Sequence, residues 1–281
     1  MLRVGSLTAL DIALYALAAT IYVGYLLGHS IRLGPAPEGG GAGDRLQSPV
    51  VARAVLAVAV VLHFGDIGAR CIHGINPVSS TPEAISLVAF LIAAGYLLAS
   101  FRYRLAAAGA FAVPGALAAL VLARVVPAEA DAPHMGSLGR VHILLAVVGV
   151  AVFALAAVLA LLYLFEDRQL KRKRFDRVVG RGTPLDTLDR LALRCVSIGF
   201  PIFTVAIVTG AIWVARLGLL RQAFTLRPEY ALAVVTWAAF GVLLIARVGA
   251  GWRGRRAAWL TLGGFGGAML VLAAYFLRHA A

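Results

Sequence analysis

Histidines are the residues of this sequence whose side chains offer the most obvious chemistry. Neutral imidazole nitrogens are common protein ligands for transition metals and for haem iron. The two cysteines show no CxxC spacing, and this excludes the usual thiol redox and zinc motifs. The six histidines are His29, His63, His73, His134, His142 and His279.

One group of polar residues repeats at helical spacing. His63, Asp66, Arg70 and His73 stand at i, i+3, i+7 and i+10, so a helix would place them on one face. Ionisable residues within a membrane helix usually face the bundle interior and pair with one another. The pattern therefore indicates either a polar track or ligand site, or a buried structural network.

Composition shows which elements must position these residues. Of the 281 residues, 61% are hydrophobic and only 14% are charged, and the mean hydropathy is +0.89. A soluble core cannot bury that much apolar surface. The uncharged runs lack the alternation of a membrane β-barrel, so the sequence predicts an all-α, polytopic transmembrane helical bundle.

About eight spans are expected, because a membrane helix needs roughly 20 apolar residues. We treat 1–281 as a single integral membrane domain with an inner linker at 30–49 and a basic inner loop at 166–192. Within that loop, Thr183-Pro184 followed by Leu185, Leu188 and Leu191 predicts a short amphipathic helix at the inner interface. The predicted spans are Leu7–Leu27, Val50–Cys71, Ala84–Phe101, Leu105–Ala123, Val141–Phe165, Cys195–Ala215, Ala231–Ala246 and Ala257–Leu277.

The net charge of +13 is explained by membrane topology. If both termini lie outside, most of the 26 basic residues fall in inner loops, as the positive-inside rule requires. The lipid bilayer is then the expected partner, with no nucleic acid, and the basic loop is either a topology signal or a contact with anionic lipid.

This topology sorts the histidines by membrane face. A cluster of imidazoles at the outer face suits haem iron or a transition metal, and the alternative is that each is an interfacial polar residue. His73, His134, His142 and His279 fall at the outer surface, His29 at the inner edge and His63 within the second span.

Motifs of hydrolases and transferases are absent from the sequence. It contains no GxSxG, no HExxH and no phosphate-binding loop, so we predict no catalytic residues. Gly263 and Gly267 have GxxxG spacing, which permits close helix packing. A small-molecule transporter is disfavoured, because no paired broken helices occur in corresponding halves.

Four segments carry a family resemblance. They are "HGINPVSSTPEAISLVAFL" (His73 to Leu91), "GRVHILLAVVGVAVFALAAVLALLYL" (Gly139 to Leu164), "LDTLDRLALRCVSIGFPIFTVAIVTGAIW" (Leu185 to Trp213) and "VVTWAAFGVLLIARVGAGWRGRRAAW" (Val234 to Trp259). Together they resemble the cytochrome c assembly superfamily of membrane proteins, in particular its CcsA-related HemX-like and YpjD-like branch.

The resemblance implies haem handling at the outer face of a bacterial inner membrane. In haem-handling members, an outer tryptophan-rich segment ending in "WDPKE" presents haem between two outer histidines. Here Pro228 matches the proline, but Leu226 and Arg227 replace the Trp-Asp pair, and Ala246 replaces the histidine of an "LHxR" pattern. The outer loop from Arg216 to Arg227 contains no tryptophan.

Haem is therefore the expected cofactor, with no metal site beyond its iron. His142 is the expected axial ligand, with Arg140 beside it for a propionate; His279 is a second candidate, and His73 with His63 forms an accessory route. The function implied is binding, transfer or sensing of haem in cytochrome c maturation. The alternative is a non-catalytic membrane partner of haem-synthesis or cytochrome assembly proteins.

Overall fold

The computed structural model of the chain describes residues 2–31, 48–127, 136–171, 183–216, 218 and 228–280. Regular structure in these ranges is helical, and they contain no strand. A 3₁₀ turn at Ala106–Ala108 precedes the fourth α-helix. The α-helices are α1 (Leu2–Ile31), α2 (Pro49–Ile72), α3 (Thr81–Arg102), α4 (Gly109–Val125), α5 (Ser137–Lys171), α6 (Leu185–Arg216), α7 (Pro228–Val248) and α8 (Arg255–Ala280).

The described part of the chain has eight helices long and apolar enough to cross a membrane, which confirms the predicted fold class. Helices satisfy every internal backbone hydrogen bond within one segment, as a lipid environment demands. The chain is thus a multi-pass membrane protein surrounded by lipid. Helices α5 and α6 are 35 and 32 residues long, and both extend beyond the apolar runs that predicted them.

The separate amphipathic helix predicted before the sixth span was wrong. Leu185 begins α6, and the helix continues without a break into the apolar span. Leu188 is fully buried, because this first part of α6 packs into the protein interior. The sequence has no proline between Leu185 and Phe200 to interrupt the backbone ladder.

The chain divides into two compact units, each described by itself. The first comprises Met1–Ala130 with Phe165–Pro184, and the second comprises Asp131–Leu164 with Leu185–Ala281. A single domain over 1–281 stays a prediction.

Helices α1 to α4 form the body of the first unit. Pro49 and Pro82 stand in the first turns of α2 and α3, where a missing N–H costs no helical hydrogen bond. The Ser48 hydroxyl accepts a hydrogen bond from the Val50 N–H at 3.3 Å and caps α2. The short connection at 73–80 joins the end of α2 to the start of α3.

An aromatic stack forms the core of the second unit. The rings of Phe153 in α5 and Phe240 in α7 lie parallel, with centroids 3.7 Å apart. Phe203 of α6 meets Phe153 edge-on at 5.6 Å. Glycines make room for the stack, since a Cβ at Gly199 would lie 2.8 Å from Phe153 and one at Gly264 would lie 2.9 Å from Phe240.

Several sequence predictions lie outside the described residues. They concern His134, most of the linker 30–49, the part of the basic loop at 172–182 and most of the outer loop up to Arg227. His279 belongs to α8, but its side chain is outside the description.

Candidate functional site

His142 stands in the second turn of α5 and packs against α6. Its Nδ1 lies 2.7 Å from the carbonyl oxygen of Ala206, and the side chain is part-buried. A carbonyl can only accept, so Nδ1 carries the proton and donates it to Ala206. The lone pair of the neutral ring is then on Nε2, the nitrogen that can bind a metal.

Gly210 and Trp213 complete the surroundings of this imidazole. A Cβ at Gly210 would lie 2.7 Å from His142 Cε1 and 2.9 Å from Nδ1, so the absence of a side chain lets the ring lie against α6. The Trp213 ring stands 6.1 Å away, tilted by 44°. Ala206, Gly210 and Trp213 follow one another at i, i+4 and i+7, so one face of α6 holds the ring.

The other predicted site residues with described side chains are Arg140, His73 and His63. Arg140 is exposed, and it stands two positions before His142, so the two side chains leave α5 on different sides. His73 caps the C-terminus of α2 and is exposed. His63 belongs to a different group of residues within the first unit.

We call that group the polar cluster. It gathers side chains from all four helices of the first unit around His63, which is fully buried. Its members are Asp11 and Tyr15 of α1, His63, Asp66 and Arg70 of α2, Glu83 and Ser86 of α3, and Arg124 of α4.

Ion pairs connect one end of the polar cluster. Arg70 contacts Asp66 and Glu83, each at 2.8 Å, so it joins α2 to α3. Arg124 of α4 approaches the same Asp66 oxygen at 3.6 Å. The predicted pairing of Asp66 with Arg70 is thus present, whereas His63 binds other partners.

Hydroxyl groups hold the His63 ring at the other end of the polar cluster. The Tyr15 hydroxyl lies 3.2 Å from Nδ1 and the Ser86 hydroxyl lies 3.1 Å from Nε2. Asp11 Oδ2 is 3.5 Å from the same Nδ1. His73, predicted to share this face, is the exposed C-cap residue of α2, and none of the contacts of the polar cluster includes it.

A second buried ion pair links α7 to α6, and its carboxylate also holds the loop before α8. Arg247 of α7 binds the Asp189 carboxylate, and its Nη1 also donates to the Asp189 carbonyl at 3.2 Å. The Gly254 N–H donates to the same carboxylate at 3.1 Å. Gly254 has a φ of +68°, which favours glycine, and a Cβ there would lie 2.8 Å from the Tyr163 hydroxyl.

Sequence reasoning missed several of these contacts. Asp11 did leave a signal, since it is a lone acidic residue inside the first apolar run. Glu83, Ser86 and Arg124 left none, because their pairing depends on how α3 and α4 pack against α2. Gly210 was also missed, since a glycine in an apolar helix is not informative without its neighbour.

The chain was compared with models of known protein families. The family described as Cytochrome C assembly protein matches residues 78–280, well over half of the chain. The chain belongs to the cytochrome c assembly family. Its matched region begins just before α3, so it includes His142 and the pair of Asp189 with Arg247. Helices α1 and α2 lie before that region.

Curated members of the cytochrome c assembly family match a shorter segment. Cytochrome c biogenesis protein CcsA of Synechococcus elongatus is 38% identical over 81 residues, which cover 29% of this chain and 24% of that protein. The protein of the same name from a Synechocystis species is 36% identical over 85 residues, 30% of this chain and 25% of that protein. The aligned part thus spans about a quarter of these relatives' length. No solved structure matches the chain.

Proposed function

We propose that this protein binds haem during cytochrome c maturation and transfers or senses it, with Nε2 of His142 as an axial ligand. Membership of the cytochrome c assembly family supports the process. The setting of His142 supports the site. In this proposal the protein acts by binding and transfer, and no residue is assigned a catalytic role.

The hydrogen bond between His142 and Ala206 is the observation that carries this proposal. Metal-binding histidines almost always donate their other ring N–H to a carbonyl or carboxylate, which fixes the tautomer and the ring orientation. His142 meets that condition, because Nδ1 lies 2.7 Å from the Ala206 oxygen. Gly210 lets the ring reach this position. The residues present therefore fit an axial ligand for haem iron.

The remaining predicted residues have lesser parts in this proposal. Arg140 is an exposed cation that leaves α5 on a different side from His142, so it would have to reach around the helix to meet a propionate at the rim of the site. His279 is proposed as a second ligand and His73 as part of an outer route. His63 is the weakest member, because hydroxyl groups engage both of its ring nitrogens.

When bound, haem would supply a redox-active iron with axial positions for protein ligands. The chain's own contribution is to hold one neutral imidazole in a fixed tautomer. Trp213 beside the ring adds an apolar, polarisable surface. Such a setting suits binding and release of haem more than turnover of a small substrate.

The finer placement of the protein is also part of the proposal. We assign it to the HemX-like and YpjD-like branch, with a degenerate form of the Trp-Asp segment in which Leu226 and Arg227 precede Pro228. We place it in a bacterial inner membrane with both termini outside, as the distribution of basic residues favours.

A second candidate function is a non-catalytic membrane partner of haem-synthesis or cytochrome assembly proteins. Replacement of the family histidine by Ala246 and the loss of tryptophan from the outer loop favour it. In this case, the basic inner loop would contact the partner.

Absorption spectra of the detergent-purified protein separate the two functions. We expect a Soret band that His142→Ala abolishes or strongly shifts, because that variant removes the axial nitrogen. The control is His134→Ala in the preceding loop, which should leave the spectrum unchanged.

Two outcomes would favour the partner function instead. One is a full haem spectrum from His142→Ala. The other is a wild-type protein that stays colourless after reconstitution with excess haem.

A further inference from the structure

The charges of the polar cluster do not cancel. Its carboxylates are Asp11, Asp66 and Glu83, and its guanidinium groups are Arg70 and Arg124. The side chains of Asp11, His63 and Asp66 are 3%, 0% and 4% exposed. With a neutral His63, the group would hold one unbalanced negative charge inside a membrane-embedded helical unit, where such a charge is costly.

Among the described residues, no arginine lies within ion-pair distance of Asp11. Arg70 and Arg124 both approach Asp66, and Arg70 also binds Glu83. Asp11 instead faces Nδ1 of His63 at 3.5 Å. Among the described residues, its other oxygen, Oδ1, is buried without a hydrogen-bond partner.

Nδ1 of His63 faces the Tyr15 hydroxyl at 3.2 Å and the Asp11 carboxylate at 3.5 Å. If both Asp11 and His63 were unprotonated at facing atoms, a carboxylate would oppose a ring lone pair. A proton on the Asp11 carboxyl lets it donate to Nδ1, and a proton on Nδ1 lets His63 donate to the carboxylate. A neutral His63 with its proton on Nδ1 also satisfies these contacts, because Nε2 then accepts from the Ser86 hydroxyl at 3.1 Å. The unbalanced charge of the polar cluster is therefore what calls for an additional proton.

We propose that Asp11 and His63 form a proton-binding site in the first unit, sharing one proton that neutralises the polar cluster. The proton moves between Asp11 and Nδ1 of His63, while Tyr15 and Ser86 hold the imidazole between them. Both residues belong to the first unit and precede the family-matched region, so this proposal does not involve the proposed haem ligand His142.

A proton is favoured over a metal ion as the occupant. The described residues contain no group of three or more histidine, cysteine, aspartate or glutamate side chains that could hold a metal. Both ring nitrogens of His63 face hydroxyl groups. The polar and charged side chains around Asp11 and His63 are Tyr15 from α1, Asp66 and Arg70 from α2, Glu83 and Ser86 from α3, and Arg124 from α4.

Two spectroscopic measurements on the purified full-length protein near neutral pH test the proposal. Infrared spectroscopy detects a protonated Asp11 through its carboxylic acid C=O band, which shifts in D₂O. Nitrogen NMR of ¹⁵N-histidine-labelled protein detects the imidazolium form of His63. We expect the wild type to show one of these two signals. The carboxylic acid band should be lost in Asp11→Asn, and the imidazolium signal should be lost in His63→Gln.

A variant that changes the charge of the polar cluster tests whether the unbalanced negative charge is what retains the proton. Glu83→Gln removes one carboxylate, so two carboxylates face two guanidinium groups and the proton signal should be lost although Asp11 and His63 remain. The matched control is Asp186→Asn, whose carboxylate is 65% exposed; it should leave the signal unchanged.

The proposal is overturned if the wild type shows neither signal, and this outcome does not depend on any variant folding. It is also overturned if the proton signal persists in both Asp11→Asn and His63→Gln. A signal that disappears when sodium chloride replaces choline chloride would assign the site to a metal cation instead.

Discussion

Arg247 and Asp189 form a buried ion pair that joins α7 to α6, with side chains only 3% and 12% exposed. The same carboxylate accepts the Gly254 N–H, so one aspartate also anchors the loop that leads into α8. Asp189, Arg247 and Gly254 belong to the segments through which the family resemblance was recognised. These segments thus contain the contacts that hold α6, α7 and the loop before α8 together.

Asp189→Ala should destabilise the protein strongly. The change leaves the Arg247 guanidinium buried without its partner, and loss of one member of a buried pair costs about 3–5 kcal/mol. Thermal unfolding in detergent should show a clear drop in Tm. Asp186→Ala is the matched control, because it removes an exposed pair with Arg190 on the same helix and should change Tm little. Equal effects from both variants would contradict the structural role of Asp189.

Gly210→Ala should displace the His142 ring. The new Cβ would lie 2.7 Å from Cε1, and such overpacking typically costs about 1–3 kcal/mol. We expect a lower Tm and, if haem is bound through His142, a shifted Soret band. Gly266→Ala is the control, since a Cβ there meets nothing within 4 Å. If haem stayed bound and its spectrum did not change, His142 would not be a haem ligand.

Asp66→Ala should weaken the polar cluster. Arg124 loses its close carboxylate, and Arg70 keeps only Glu83. Loss of a buried hydrogen-bonded partner costs about 1–3 kcal/mol, so detergent unfolding should occur at a lower temperature. Glu166→Gln serves as a control, because this carboxyl is buried in the first unit outside the cluster and the substitution keeps its size. If Asp66→Ala left Tm unchanged, the ion pairs of Arg70 and Arg124 would contribute nothing to stability.

Reporter fusions should reveal the membrane orientation. Fusions after Lys173 and after Arg255 are expected to behave as cytoplasmic, and one at the C-terminus as periplasmic, because basic loops remain inside. Alkaline phosphatase activity of a fusion after Lys173 would mean that this loop is periplasmic and that the topology is the opposite of the predicted one. His142 would then lie at the inner face, and the outer grouping of histidines would be lost.

The sequence by itself determined the membrane character and the number of described spans. Long uncharged runs leave the backbone no way to satisfy its hydrogen bonds in lipid except as helices, so the eight spans followed from local composition. The pairing of Asp66 with Arg70 was also predictable, since residues four apart on a helix are neighbours. His142 was identified by resemblance before its surroundings were known.

Only the tertiary structure decided which distant residues meet. The contact of His142 with Ala206 and Gly210, the partnership of Asp11 with His63, and the reach of Arg124 to Asp66 all join different helices. Such contacts depend on the rotation and register of whole helices, which are set by many packing contacts at once.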